Sequence, residues 1–419
     1  VDAEDVAALL SPTGQELLRA LPPYDPGSAL AQGERLRAAG HPAALVAAAL
    51  TQARLRERAR PKLGERAAGL LLTPDGVEQA TRALVAERHA RRYAAAGLRH
   101  VADLGCGIGA DALALLDAGL GVTAVDADPV TAAVAAANLA GHPGARVRCA
   151  DVTAPGVVAD AVGADGGAWF DPARRSGGRR VFDPESTSPP LSFVLDVAAR
   201  VAATGAKLAP GVPHDALPPE VAGRGTEAQW TSVDGDVVEC ALWCGPLARP
   251  GVRRGAALAV TGPDGASTWH EVDDTAPSTT GVGAVGEVLY EPDGAVIRAG
   301  LVGAVAAEVG GRLLDPTIAY VTADGAVPTP LARGYAVEHV MPFGLKPLRA
   351  WLRAHGVGRL VVKKRGTAVE PEVLRRQLRL EGTAEATVVL TRVAGRQSVL
   401  VVRPLPSRTA RGGRAALEG

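Results

Sequence analysis

The most constraining stretch of the chain is V-A-D-L-G-C-G-I-G-A, Val101–Ala110. An apolar run leads into it and a helix-forming run, Ala110–Ala118, leads out. Between them Gly105, Gly107 and Gly109 allow a tight turn and a close backbone approach to a ligand. The next helix N-terminus then faces the ligand's polar end. Such a turn belongs in a strand–helix unit of an α/β layer. The alternation continues downstream. Strands are expected at His100–Leu104, Gly121–Asp126, Arg146–Ala150, Gly167–Phe170 and Ala206–Leu208. Helices are expected at Pro129–Ala140 and Ser192–Ala203. This is the pattern of a parallel, doubly wound sheet. The sheet closes differently: Ala228–Val233 and Val237–Trp243 flank Asp234-Gly235, a hairpin signal.

Glycine spacing alone leaves the ligand open, because Gly105, Gly107 and Ala110 also fit a dinucleotide fingerprint. Asp103 favours S-adenosylmethionine. A carboxylate two residues before the first glycine could meet the methionine ammonium, and it would be badly placed beside a pyrophosphate. The antiparallel end of the sheet points the same way. Asp126, at the end of the next strand, could accept hydrogen bonds from both ribose hydroxyls.

The chain has 419 residues, enough for two or three domains. With 47% hydrophobic and 21% charged residues it cannot be mainly disordered. Aromatics are 3%, so the core is built from Ala, Val and Leu. Four cysteines do not form a disulfide scaffold. Cys240 and Cys244 lack the second pair or the histidines of a zinc site, and no metal is expected. The acidic start Val1–Leu10 is no secretory signal, and no run reaches the ~18 apolar residues of a membrane span. A cytoplasmic protein without a membrane partner is expected.

Charge is distributed unevenly. Residues 101–325 carry 14 Lys+Arg against 28 Asp+Glu, whereas residues 326–419 carry 17 against 6. The basic end suits an anionic partner, or docks on the acidic middle. Five regions are expected: an N-terminal helical cap at 1–97, the α/β core at 98–245, and a β extension with a linker helix at 246–325. A basic module at 326–406 and a flexible tail at 407–419 follow. One helix is expected from Thr73-Pro74 to about Ala96, and another within Pro292–Gly310. The basic module reads strand, helix, strand, helix, strand, strand, like a ferredoxin-like α+β unit. Lys363, Lys364 and Arg365 lie at a strand end, and Arg375, Arg376 and Arg379 on the next helix. This basic face carries no aromatics, which favours phosphate and shape recognition over base stacking. The histidines, His339 and His355 among them, look scattered.

The set D-L-G-C-G-I-G, V-D-A-D-P and F-D-P-A-R-R resembles a bacterial class I S-adenosylmethionine-dependent methyltransferase with a THUMP-like C-terminal domain. The stretch V-K-K-R-G-T-A-V-E-P-E-V-L-R-R-Q-L is similar to that domain's hallmark, and L-T-P-D-G-V-E-Q-A-T to the segment preceding the catalytic core. The resemblance implies a Rossmann-like sheet with an N-terminal helical cap and a THUMP-like module. It implies that Asp103, Gly105, Gly107, Gly109, Asp126 and Asp151 hold the methyl donor, Asp151 at the adenine amino group. Gln79 would lie near the donor. Asp171-Pro172 resembles the start of the D-P-P-Y motif, which presents an acceptor nitrogen, but Ala173 and Arg174 depart from it. Arg174, Arg175, Arg179 and Arg180 would meet an anionic substrate. By analogy with THUMP domains the acceptor is RNA, tRNA or rRNA, held by Lys363, Lys364, Arg365, Arg375 and Arg376. Methylation of a metabolite or protein, and donor binding without catalysis, remain alternatives.

Overall fold

In the computed structural model, residues 2–174 and 183–406 are described. The chain forms two compact units: Val1–Thr226 with Ala241–Arg249, and Glu227–Cys240 with Pro250–Gly419.

The first unit begins with helices α1 (Ala3–Leu10), α2 (Pro12–Ala20), α3 (Ala29–Ala38), α4 (Ala43–Leu63), α5 (Pro74–Gln79) and α6 (Ala83–Ala95). Helices α1 and α2 start on side-chain caps from Asp2 and Ser11. Thr73 caps α5 through its hydroxyl. The single helix expected from Thr73 to Ala96 is two helices. Ala80 is extended, with ψ of 142°, and Lys207 holds the break by donating to the Gln79 carbonyl and the Thr81 hydroxyl.

Strands β1 (His100–Leu104), β2 (Gly121–Asp126), β3 (Ala145–Cys149), β4 (Gly167–Phe170) and β5 (Thr204–Leu208) pair in parallel in the order β3-β2-β1-β4-β5. Helices α7 (Ala110–Asp117), α8 (Pro129–Leu139), α9 (Val157–Val162) and α10 (Leu191–Arg200) connect them. Parallel neighbours require such crossovers. The strands are apolar because both faces are covered: Val101, Ala102, Leu104, Val122, Ala124 and Phe170 are fully buried. Strand β6 (Arg224–Val233) turns into β7 (Asp236–Cys244). Asp234 and Gly235 have φ of +51° and +90°, the two positive values of a type I′ hairpin turn. The hairpin read from Asp234-Gly235 is present.

In the second unit β8 (Arg254–Thr261) pairs in parallel with β6 and antiparallel with β9 (Ser267–Asp273). A separate seven-stranded sheet follows. It contains β10 (Val288–Pro292), β11 (Arg312–Asp315), β12 (Ile318–Ala323), β13 (Ala332–Pro342), β14 (Val357–Lys364), β15 (Ala384–Val393) and β16 (Arg396–Pro404), in the order β11-β12-β10-β13-β16-β15-β14. The sheet therefore takes in Val288–Ala323 as well as the basic module. The helix expected in 292–310 is two, α11 (Gly294–Arg298) and α12 (Val302–Glu308), separated at Gly300 with φ of +75°. Helices α13 (Leu345–Ala354) and α14 (Pro371–Leu378) complete the module in the order read from the sequence. Strand β14 reaches β15 through α14, so these two pair in parallel, while β15–β16 and β16–β13 are antiparallel. A ferredoxin-like unit instead places its second helix after the third strand. Among the described residues no helix is long and apolar enough to cross a membrane.

Candidate functional site

The glycine loop lies between β1 and α7, and all three glycines have positive φ: Gly105 +90°, Gly107 +53° and Gly109 +85°. A Cβ on Gly105 would come within 2.8 Å of the Asp171 carbonyl oxygen. The loop and the end of β4 therefore meet backbone to backbone. A Cβ on Gly107 would meet nothing within 4 Å, so this part of the loop faces open space. Asp126, at the end of β2, accepts from the Gly107 amide (3.0 Å) and the Asp128 amide (3.0 Å). Burial raises its carboxyl above the usual value, and those backbone donors partly offset the rise.

Asp103 is fully buried at the end of β1, and neither carboxylate oxygen has a hydrogen-bond partner at normal geometry. Burial, and then the charges of Asp111, Asp171 and Asp126, push its carboxyl well above the usual value. Asp111, in the first turn of α7, is also buried. Burial raises its carboxyl, but the hydrogen bond and charge of His89, with Lys207 and Thr81, bring it below the usual value. His89 Nδ1 is 3.5 Å from Asp111 Oδ1. Its ring lies 4.4 Å from Trp169 and 5.4 Å from Trp243. Neither His89 nor Asp111 was singled out from the sequence.

Asp171 leaves the carboxyl end of β4, where open α/β sheets place their ligands. Its Oδ2 is 2.7 Å from Lys207 Nζ, on β5. Lys207 also donates to the Gln79 carbonyl (3.0 Å) and to Thr81 Oγ1 (3.2 Å). The same lysine thus joins Asp171 to the α5–α6 break, and Gln79 is brought to the site through its backbone. Lys62, from the end of α4, donates to the carbonyls of Val77 (3.1 Å) and Glu78 (2.5 Å). Burial, followed by the charges of Lys207 and Arg82, lowers its ammonium to about 8. Nothing in the periodicity of the sequence marks Lys207 or Lys62. A lysine in the otherwise apolar strand T-G-A-K-L was the one available signal.

The segment before α5 is fastened to the glycine loop. Asn138 Nδ2 donates to the carbonyls of Leu71 and Ile108 (both 2.9 Å), and its Oδ1 accepts from Leu71 N (2.8 Å). Gln52 makes a matching pair of bonds to Leu72. A Cβ on Gly76 would strike the Ile108 side chain at 2.3 Å.

Asp151 is exposed, and its Oδ1 accepts from the amide (2.8 Å) and hydroxyl (2.7 Å) of Thr153. The hydroxyl, then the amide, lowers its carboxyl below the usual value. Pro172 follows Asp171 directly. The backbone of Ala173–Arg174 pairs with Thr187–Ser188. The Arg174 side chain, Arg175, Arg179 and Arg180 lie outside the described residues, as does the tail from Ser407.

In the second unit the basic residues diverge. Lys363 Nζ is 2.5 Å from Glu291 Oε2, and Lys364 Nζ is 2.6 Å from Glu370 Oε1. Arg365 lies over the Tyr320 ring at 5.3 Å. Arg375 donates to the Leu360 carbonyl (2.9 Å) and pairs with Glu372. Arg376 is exposed. Among the described residues no group of His, Cys, Asp and Glu could hold a metal ion.

Two proteins of Mycobacterium tuberculosis, from strains CDC 1551 and H37Rv, are each described as an uncharacterized S-adenosylmethionine-dependent methyltransferase. Each is 38% identical to this chain over 347 residues, covering 81% of it and 90% of the relative. The chain is a member of this S-adenosylmethionine-dependent methyltransferase family. The methyltransferase also matches the family described as THUMP domain-like at residues 332–404, and a domain of unknown function (DUF8688) at residues 2–59. A solved structure of a candidate methyltransferase from Porphyromonas gingivalis W83 shares its fold. That match has a TM-score of 0.68 at 20% identity and covers 92% of this chain and 100% of the other. The methyl donor is S-adenosylmethionine, and the features of the first unit fit it. A glycine loop opens onto free space at Gly107, and the buried Asp103 carboxylate lacks a hydrogen bond of normal geometry, with the Ala112 amide lowering its raised carboxyl only in part.

Proposed function

We propose that this methyltransferase modifies RNA, tRNA or rRNA, in a cytoplasmic setting, and that the second unit's basic module binds the nucleic acid. The observation that carries the reading is the THUMP domain-like match at 332–404, in a C-terminal segment with 17 Lys+Arg against 6 Asp+Glu. Lys364, Arg376 and Arg379 are its exposed cations among those singled out from the sequence. Lys363, Lys364, Arg365 and Arg375 would have to exchange internal partners for phosphates.

In the first unit Gly105, Gly107 and Gly109 cradle the donor. Asp126 receives the ribose hydroxyls on the carboxylate that also holds the Gly107 amide. Asp103 receives the methionine ammonium, which satisfies its orphaned oxygens. Asp151 offers its second oxygen to the adenine amino group. When bound, the donor supplies a methyl group on a sulfonium, already a good leaving group. The protein's task is therefore orientation. Asp171, with Pro172 holding the turn behind it, accepts a hydrogen bond from the acceptor group and aims its lone pair. Lys207 fixes the Asp171 carboxylate. Arg174 binds the acceptor's phosphate or stacks on its base.

RNA binding through phosphates releases counterions, so affinity must fall steeply with salt. Filter binding of the full chain to bulk tRNA between 50 and 300 mM salt tests this. A log–log slope of about −3 or steeper is expected. A flat response would count against RNA and favour a metabolite or protein acceptor.

A further inference from the structure

The fold assembles a ring stack that the sequence hides. His339 comes from β13 and Trp351 from α13, and His355 is the C-cap of α13. The Trp351 and His355 rings lie 3.8 Å apart between centroids at 16°, and His339 and Trp351 lie 5.7 Å apart, also at 16°. The histidines that look scattered in sequence thus gather at the module's one tryptophan.

This stack is not core. His339 and His355 are exposed, and Trp351 is half-buried against the cluster of Met341, Leu348 and Leu352. The His355 ring is set in place by its Nδ1–H, which donates to the Trp351 carbonyl at 2.8 Å. The C-terminal segment that carries the stack is cationic overall, with 17 Lys+Arg against 6 Asp+Glu in residues 326–419. Helix α13 reads L-K-P-L-R-A-W-L-R-A, with no acidic residue, and its Arg349 and Arg353 donate to the carbonyls of Gln377 and Arg379. Near-parallel rings with exposed histidines, in a cationic segment, are the elements of a platform for unpaired bases. There the π faces stack on bases while the cations track the backbone.

We propose that His339, Trp351 and His355 form a stacking platform for an unpaired segment of RNA, with the first base lying on the exposed face of His355. The proposal rests on the RNA reading above and deepens it: the module recognises single-stranded RNA by stacking as well as phosphates by charge.

The test is fluorescence anisotropy of the full chain with a labelled 12-nucleotide single-stranded RNA and with an abasic ribose-phosphate oligomer of the same length. The wild type should bind the base-containing oligomer about tenfold more tightly, as expected for a stacked base. His355→Ala should shrink that ratio towards one with little change in abasic affinity, and His355→Phe should restore it. The preserved abasic affinity shows that the variant is folded. Equal wild-type affinity for both oligomers would overturn the platform and leave the RNA reading standing. A ratio unaffected by His355→Ala would do the same. No binding of either oligomer, or of bulk tRNA, at low salt would overturn both.

Discussion

Gly105 shows how one missing Cβ joins two motifs. Its φ of +90° disfavours any side chain, and a Cβ there would sit 2.8 Å from the Asp171 carbonyl. Gly105→Ala should lower stability by about 1–3 kcal/mol and weaken donor binding at least tenfold, read by urea unfolding and by calorimetry with S-adenosylmethionine. Asp103 gives a pH signature. Its folded pKa lies well above the usual 3.8, so the folded chain keeps this proton after the unfolded chain has lost it. Below about pH 3.8 both states hold the proton. As pH rises from there through the folded value, stability is lost. Asp103→Asn cannot ionise, so its Tm relative to wild type should climb between pH 4 and pH 8, while its donor affinity falls. A constant Tm difference across that range would remove Asp103 from this account. These residues were visible in the sequence because glycine and acid spacing is local. Lys207 was not, because its three partners come from β4 and the α5–α6 break.

Among the elements, β1, β2 and β4 carry the bounds read from the sequence. Continuous apolar runs between turn residues have one economical solution when both sheet faces are covered. The break between α5 and α6 was illegible. Ala80-Thr81-Arg82 contains neither proline nor glycine, and the apolar period runs through it. Tertiary bonds from Lys207 make the interruption. Gly300 could have signalled the division between α11 and α12. The module's extra strands β10, β11 and β12 were hidden because the pairings that join them to the sheet, β10 with β13 and β12 with β10, are non-local. The fastening of the segment before α5 is testable through Asn138, which bonds to Leu71 and Ile108 at once. Asn138→Ala should cost about 2–4 kcal/mol, since it strands part-buried backbone groups. It should also weaken donor binding, because the glycine loop loses its anchor at Ile108. Denaturant midpoints and donor calorimetry measure the two effects, and unchanged values in both would show the fastening to be incidental.

At the scale of the whole chain, the proposed donor site lies in the first unit, and the second unit ends in a basic segment with the THUMP domain-like match at 332–404. The charge asymmetry was plain in the sequence, but the substrate it serves was not, since a cationic surface specifies phosphate and no particular polymer. The most direct measurement is transfer of label from radiolabelled S-adenosylmethionine into an extract of cells lacking this gene. Aliquots are then digested with RNase, DNase or protease, and Asp171→Ala serves as the blank. The account predicts acid-precipitable label that only RNase removes and that the blank lacks. Label that withstands all three digestions in a small-molecule fraction, or that protease alone releases, would contradict it.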